Sequence, residues 1–165
     1  MAEPYVERDE TPTEQADRNL AELLQELRVA LPGVQVLFAF LLAVPFQDRF
    51  EEATRFQEKT YFFTLLCSAL ATALLIAPTA YHRLNFRRGD KRHIVEVASL
   101  LTIAGLGVLA LAMLGAVVLV TDFLFGTTTV VVTAAIVGVA FALLWFAAPM
   151  ARRRQTERRP PGASV

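Results

Sequence analysis

The sequence predicts an all-α integral membrane protein: a four-helix transmembrane bundle preceded by a cytoplasmic amphipathic helix. Three observations carry that expectation. The chain has 165 residues, of which 55% are hydrophobic. No Asp, Glu, Lys or Arg occurs in 29–47, 60–82, 97–121 or 123–151, so all 16 acids and 16 bases lie elsewhere. A small soluble domain interleaves charge with apolar residues, because its helices and strands each keep a wet face. Windows of 19 to 29 uncharged residues instead match the roughly 20 apolar residues of a membrane-spanning helix. Third, the zero net charge conceals a segregation of sign. Residues 1–28 hold eight acids and three bases, whereas 82–93 and 152–165 each hold five bases and one acid.

Taken in order, residues 1–11 form a polar leader, expected to be disordered. A helix is expected over 12–31. Thr11 is a good N-cap, Pro12 suits the first helical position, and Glu14 stands three after the cap, as in a capping box. Ala16, Leu20, Leu23, Leu24, Leu27 and Leu31 then recur at three- and four-residue steps, giving one apolar stripe. Glu14, Arg18 and Glu22 are spaced by four, so Arg18 can pair on both sides.

Pro32-Gly33 predicts a kink or break, since proline lacks the backbone donor and clashes one turn back. The first span is expected at about 30–46. From Val34 to Phe46 it has 13 residues, about 20 Å of helix, which crosses a ~30 Å core only if the preceding turn also enters. A long helix over 49–80 follows, capped by Asp48 with Glu51 three residues on, and its membrane part is 60–80. The third span is expected over 97–121 within a helix starting near 91. The fourth, 128–149, begins TTTVVVT; a lone strand would leave backbone groups unpaired in lipid, so helix is expected. The bundle thus occupies 32–150, followed by a basic tail over 151–165, also expected to be disordered.

With the N-terminus inside, the inner segments hold 13 Lys and Arg and the outer ones three (Arg49, Arg55 and Lys59). This bias places both termini in the cytoplasm. No secretory leader is visible, because the first apolar run starts at Val29 after an acidic stretch. Small residues at four-residue steps offer helix-packing faces: Ala69, Ala73 and Ala77; Ala112 and Ala116 beside Gly105 and Gly115; Ala134, Gly138 and Ala142. They serve packing inside the bundle or a homo-oligomer.

The windows carry little chemistry. A charge inside a span would mark transport or a proton relay, and there is none. Gln35 is the most polar side chain within a span and the candidate intramembrane polar site, although bonding to a neighbouring backbone is the commoner use. Asp122 at the outer end of the third span reads as a carboxylate facing water. Glu96 reads as a partner for Arg92 or another inner base. Cys67 is the single cysteine and reads as an apolar filler. His82 and His93 flank a basic loop at the rim, without a third ligand at metal spacing. No phosphate loop or hydrolase motif occurs. No cofactor, metal or nucleic-acid partner is therefore indicated.

The inner surface is the most informative part. Anionic lipid repels an acidic helix, yet its leucine stripe needs cover. The expectation is that it docks on protein, either the basic loop (Arg83, Arg87, Arg88, Lys91, Arg92) or a partner. Glu14, Arg18, Glu22 and Glu26 are the candidate interaction residues on the helix side.

The stretches LPGVQVLFAFLL and APTAYHRL, within a pattern of four spans and an Arg-rich tail, resemble an uncharacterised actinobacterial membrane family known only as a domain of unknown function. The resemblance covers about 11–153 and implies a small four-span plasma-membrane protein; it carries no catalytic residues. The expectation for function is a non-enzymatic accessory or interaction component. A small oligomeric transporter or channel near Gln35 is the alternative, and an enzyme acting on lipid at the inner rim is the third.

Overall fold

The computed structural model describes residues 11–85, 91–148 and 150–151. The polar leader up to residue 10, residues 86–90 of the basic loop and the basic tail after residue 151 lie outside these residues. Among the described residues the chain is helical and contains no strand. Helix α1 spans Pro12–Ala43, α2 Arg55–Asn85, α3 Lys91–Leu124 and α4 Thr127–Phe141, the last continued by a π-helical turn over Ala142–Ala147. Four stretches are long and apolar enough to cross a membrane, Asp17–Phe46, Arg55–Tyr81, Ile94–Leu124 and Thr127–Ala147, the mark of a multi-pass membrane protein.

Helix α1 corrects the expected segmentation. The amphipathic helix and the first span are one unbroken helix of 32 residues, with Pro32 inside it. Its start is as expected: the Glu14 carboxylate accepts from the Thr11 N–H at 2.9 Å, and the Thr11 hydroxyl accepts from the Glu14 N–H at 3.3 Å. The buried residues Leu20, Leu27, Val34 and Leu41 step by seven, so a single stripe passes Pro32 without changing face. Pro32 itself is exposed. It removes one hydrogen bond on the outer side, while packing on the inner side holds both halves. A 3₁₀ turn over Val44–Phe46, with Pro45 as its second residue, then ends the helix.

Helix α2 starts later than expected. Asp48–Glu52 is a 3₁₀ turn, and the reciprocal cap is made by Thr54 and Gln57 instead. The Thr54 N–H donates to Gln57 Oε1 at 2.9 Å, and the Gln57 N–H donates to Thr54 Oγ1 at 3.3 Å. The buried stripe of α2 is Gln57, Tyr61, Thr64, Ser68, Ala71, Leu75 and Pro78. Those steps alternate four and three, the 3.5-residue repeat of closely packed helices. The expected Ala69, Ala73 and Ala77 stripe lies beside it, with Ala73 exposed. On α3, Ala98, Gly105, Ala112 and Leu119 are buried at seven-residue steps. On α4, Val130 is buried while Ala134 and Gly138 are half-buried and Ala142 is exposed. The β-branched TTTVVVT is helical, as the lipid argument requires.

The chain divides into two compact units, 1–47 with 65–109, and 48–64 with 110–165. In the first, Leu27, Val34, Ala71, Leu75 and Leu109 form one apolar cluster, and Leu20, Ile94 and Ala98 form another. Gly105 lets α3 approach α2: a Cβ there would lie 2.9 Å from Leu75 Cγ and 3.2 Å from Leu74 Cβ. In the second, a Cβ on Gly115 would collide with Thr64, whose own Cβ would be 3.2 Å away. Phe50 and Tyr61 meet edge to face with centroids 5.2 Å apart.

Candidate functional site

The first candidate surface is the N-terminal half of α1. Its inner face is covered by the chain itself. Leu20, Leu23 and Leu24 pack with Tyr81 near the end of α2 and with Ile94, Val95 and Ala98 at the start of α3. The leucine stripe is therefore consumed by the two helix ends that flank the basic loop. The outer face carries Glu14, Asp17, Arg18, Glu22, Gln25, Glu26 and Arg28, all exposed. Arg18 pairs with Glu22 at 3.8 Å. Glu14 has its carboxyl engaged in the cap, where Thr11 Oγ1 also approaches to 2.8 Å. Donation by the Thr11 backbone, then by its hydroxyl, holds the Glu14 carboxyl below its ordinary pKa.

Of the basic residues expected opposite this helix, Arg83 is exposed at the end of α2. Arg87 and Arg88 lie outside the described residues, as do the side chains of Lys91, Arg92, His82 and His93. Glu96 is exposed one turn inside α3.

Gln35 is the second candidate. It is exposed rather than lining the interior, and it has no hydrogen-bond partner among the described residues. Val34 next to it is 1% exposed and belongs to the apolar cluster, whereas Gln35 points outward and is exposed. The register explains this, since one residue along a helix turns the side chain by about 100°.

The third candidate was not legible in the sequence. Gln57 is buried, and its amide Nε2 donates to Asp122 Oδ2 at 2.8 Å. Asp122 is thus half-buried and bonded, which corrects the expectation of a carboxylate that simply faces water. Gln57 spends its other groups on the cap with Thr54. The two partners are separated by 65 residues in sequence, and only the Thr54-x-x-Gln57 spacing gave a local sign of either.

The hydroxyls within the helices bond largely to their own helix. Thr64 donates to the Thr60 carbonyl at 2.7 Å, Thr72 to Ser68 at 2.8 Å and Thr102 to Ala98 at 2.9 Å. Such back-bonding satisfies a polar group within apolar surroundings. The Ser68 hydroxyl is buried and has no partner among the described residues. Cys67 is a free, buried thiol. No group of three His, Cys, Asp or Glu side chains gathers among the described residues.

No curated protein and no solved structure matches the chain. A family model does match, over residues 9–149, from the leader through α4 and its π-helical turn. That match covers the charged outer face of α1, Gln35 and the Gln57–Asp122 pair together, and the chain belongs to DUF6328, a family of unknown function.

Proposed function

We propose that this chain is a non-enzymatic accessory component of a bacterial plasma membrane, with both termini cytoplasmic. Its acidic α1 surface is offered to a basic protein segment. One observation carries this reading: the apolar face of α1 is already covered by Tyr81, Ile94, Val95 and Ala98, which leaves Glu22 and Glu26 outward on a rigid platform. A helix that only needed burial could carry any polar outer face. Eight acids against three bases within 1–28 set a net negative field, which attracts bases and repels anionic lipid. The Lys and Arg bias puts this field on the inner side, together with the five bases of 82–93. That loop is the internal candidate for the basic segment, and a cytoplasmic protein is the external one.

The geometry determines how the reading is tested. Deleting residues 12–28 would uncover Ile94 and Ala98, so the loss of an interaction after truncation would report unfolding as readily as recognition. Charge reversal by Glu22→Lys with Glu26→Lys leaves the leucine stripe intact. Cross-linking of the full chain in native membranes, from a probe at the exposed position 25 to the 83–92 loop and to other proteins, should fall at least severalfold on reversal. It should recover when Arg87 and Arg88 are changed to Glu if the loop is the occupant. Cross-linking that is indifferent to the reversal would rule the reading out.

A further inference from the structure

We propose that α1 is also a self-association surface, on which Gln35 bonds to Gln35 of a second copy of the chain within the membrane. The argument begins with depth. Tyr81, at the charged end of the 60–82 window, lies ten residues from Ala71, the midpoint of that window. That is about 15 Å of helix, half of a ~30 Å hydrocarbon core. Leu109 is likewise the midpoint of 97–121. Val34 shares a cluster with both Ala71 and Leu109, while Leu20 shares one with Tyr81 and Ile94. Gln35 therefore stands well inside the hydrocarbon core, about 22 Å along α1 from the Leu20 level and about 16 Å from Phe46 at the outer end of its apolar stretch.

At that depth an outward amide meets hydrocarbon. Gln35 is exposed on the chain and has no hydrogen-bond partner among the described residues. Unbonded amide groups are costly in hydrocarbon, and interhelical bonds from Gln side chains drive association there. Arg28, seven residues nearer the inner rim on the same flank, has an escape that Gln35 lacks. Its long side chain leans toward the helix N-terminus and can reach the headgroups.

The occupant follows from the chemistry of the amide. It both donates and accepts, so it complements itself across a two-fold axis, where each residue faces its own equivalent. Ala39, one turn further on and exposed, is small enough to let the two backbones approach. Two copies related by such an axis satisfy both amides without any other protein.

The test uses the full chain, labelled at its C-terminus with donor or acceptor dyes and reconstituted in phosphatidylcholine–phosphatidylglycerol vesicles. Energy transfer is followed as protein density is varied. Wild type should associate saturably. Gln35→Leu should need roughly threefold to tenfold higher density for the same transfer. Gln35→Asn should keep most of the association, because the amide remains. Val132→Leu, on the exposed apolar side of α4, should leave it unchanged. Gln35→Leu replaces a polar outward group by an apolar one, so membrane insertion is not threatened, and circular dichroism of each variant checks the helices. A monomeric wild type at every density, or Gln35→Leu indistinguishable from wild type, overturns the proposal. Either outcome leaves the acidic-face reading standing, since that is read by charge reversal rather than by self-association.

Discussion

The two compact units are held together by different chemistry. The unit of 1–47 with 65–109 is knit by leucines: Leu20, Leu27, Leu75 and Leu109 interlock with Val34, Ala71 and Ala98. Among the described residues, the unit of 48–64 with 110–165 buries fewer large apolar side chains. Its contacts include the Gln57–Asp122 hydrogen bond, the Gly115 seat under Thr64 and the Phe50–Tyr61 edge contact. In lipid the leucines of the first unit gain no hydrophobic drive, because the surrounding tails are just as apolar, and only shape complementarity holds them. Each unit contains a close helix approach that glycine allows, at Gly105 and at Gly115, and the second adds a directional bond between helices. One core should therefore tolerate small changes by repacking, and the other should not.

Two glycine substitutions test that contrast most strongly. Gly105→Ala pushes mainly against Leu75 Cδ2 and Cγ, which can turn about χ1, and against Leu74 Cβ at 3.2 Å, whereas Gly115→Ala pushes against Thr64, which is β-branched and bonded to the Thr60 carbonyl. Overpacking of this kind costs about 1–3 kcal/mol. Gly115→Ala should fall at the upper end of that range and Gly105→Ala at the lower. Thermal unfolding in detergent micelles measures both. Thr64→Ala should restore much of the loss caused by Gly115→Ala and none of that caused by Gly105→Ala. Equal losses from the two glycines would erase the distinction between the units.

A smaller effect probes the directional bond itself. Gln57→Leu removes the amide that donates to Asp122 and also the side-chain half of the Thr54 cap. Interhelical hydrogen bonds in membranes contribute about 0.6 kcal/mol on average and up to about 1.7. The expected loss is of the order of 1 kcal/mol, and Asp122→Asn, which can still accept, should lose less. The same unfolding assay with the double variant tells whether the two residues act through one another. Additive losses would mean that the 2.8 Å contact contributes nothing to stability.

The contrast between the units also marks what the sequence could reveal. The four spans were legible because lipid imposes a coarse, one-dimensional rule: long stretches without charge. The cap at Thr11 and Glu14 was legible for the opposite reason, since all its partners lie within four residues. The buried face of α2 was not. Thr64 and Ser68 are polar letters, so an apolar stripe at Ala69, Ala73 and Ala77 looked better than the true one running from Gln57 to Pro78. Each hydroxyl can hide in a helix by bonding backward, as Thr64 does, and that bond carries no hydropathy signal. Of the kink or break expected at Pro32-Gly33, the break does not occur, for a related reason. Local chemistry disfavours a helix there, but the seven-residue spacing of Leu20, Leu27, Val34 and Leu41 keeps both sides on one packed face. The cap expected at Asp48 with Glu51 stands instead at Thr54 with Gln57. A tertiary contact favours the latter, because Gln57 also reaches Asp122.

The smallest predicted effect lies at the start of α1, where the first unit meets water. Glu14 accepts from the Thr11 N–H and hydroxyl, and its pKa is lowered by those bonds. A carboxyl with a depressed folded pKa adds stability above its unfolded pKa, and loses it as pH falls through the folded value. The first turn of α1 should thus be fully capped at neutral pH and fray only in acid. Amide hydrogen exchange at residues 14–16, followed from neutral to acidic pH, reads this directly. Thr11→Ala removes the hydroxyl while keeping the N–H, so the acid midpoint should move upward toward that of an ordinary glutamate. Glu14→Gln should make protection in this turn independent of pH, since an uncharged amide can still close the capping box. Because Leu20, one turn and a half further on, is buried against Ile94 and Ala98, the fraying should stop before it. Acid-induced exchange that spreads past Leu20 would show that the N-terminal half of α1 is anchored by its cap rather than by its leucines.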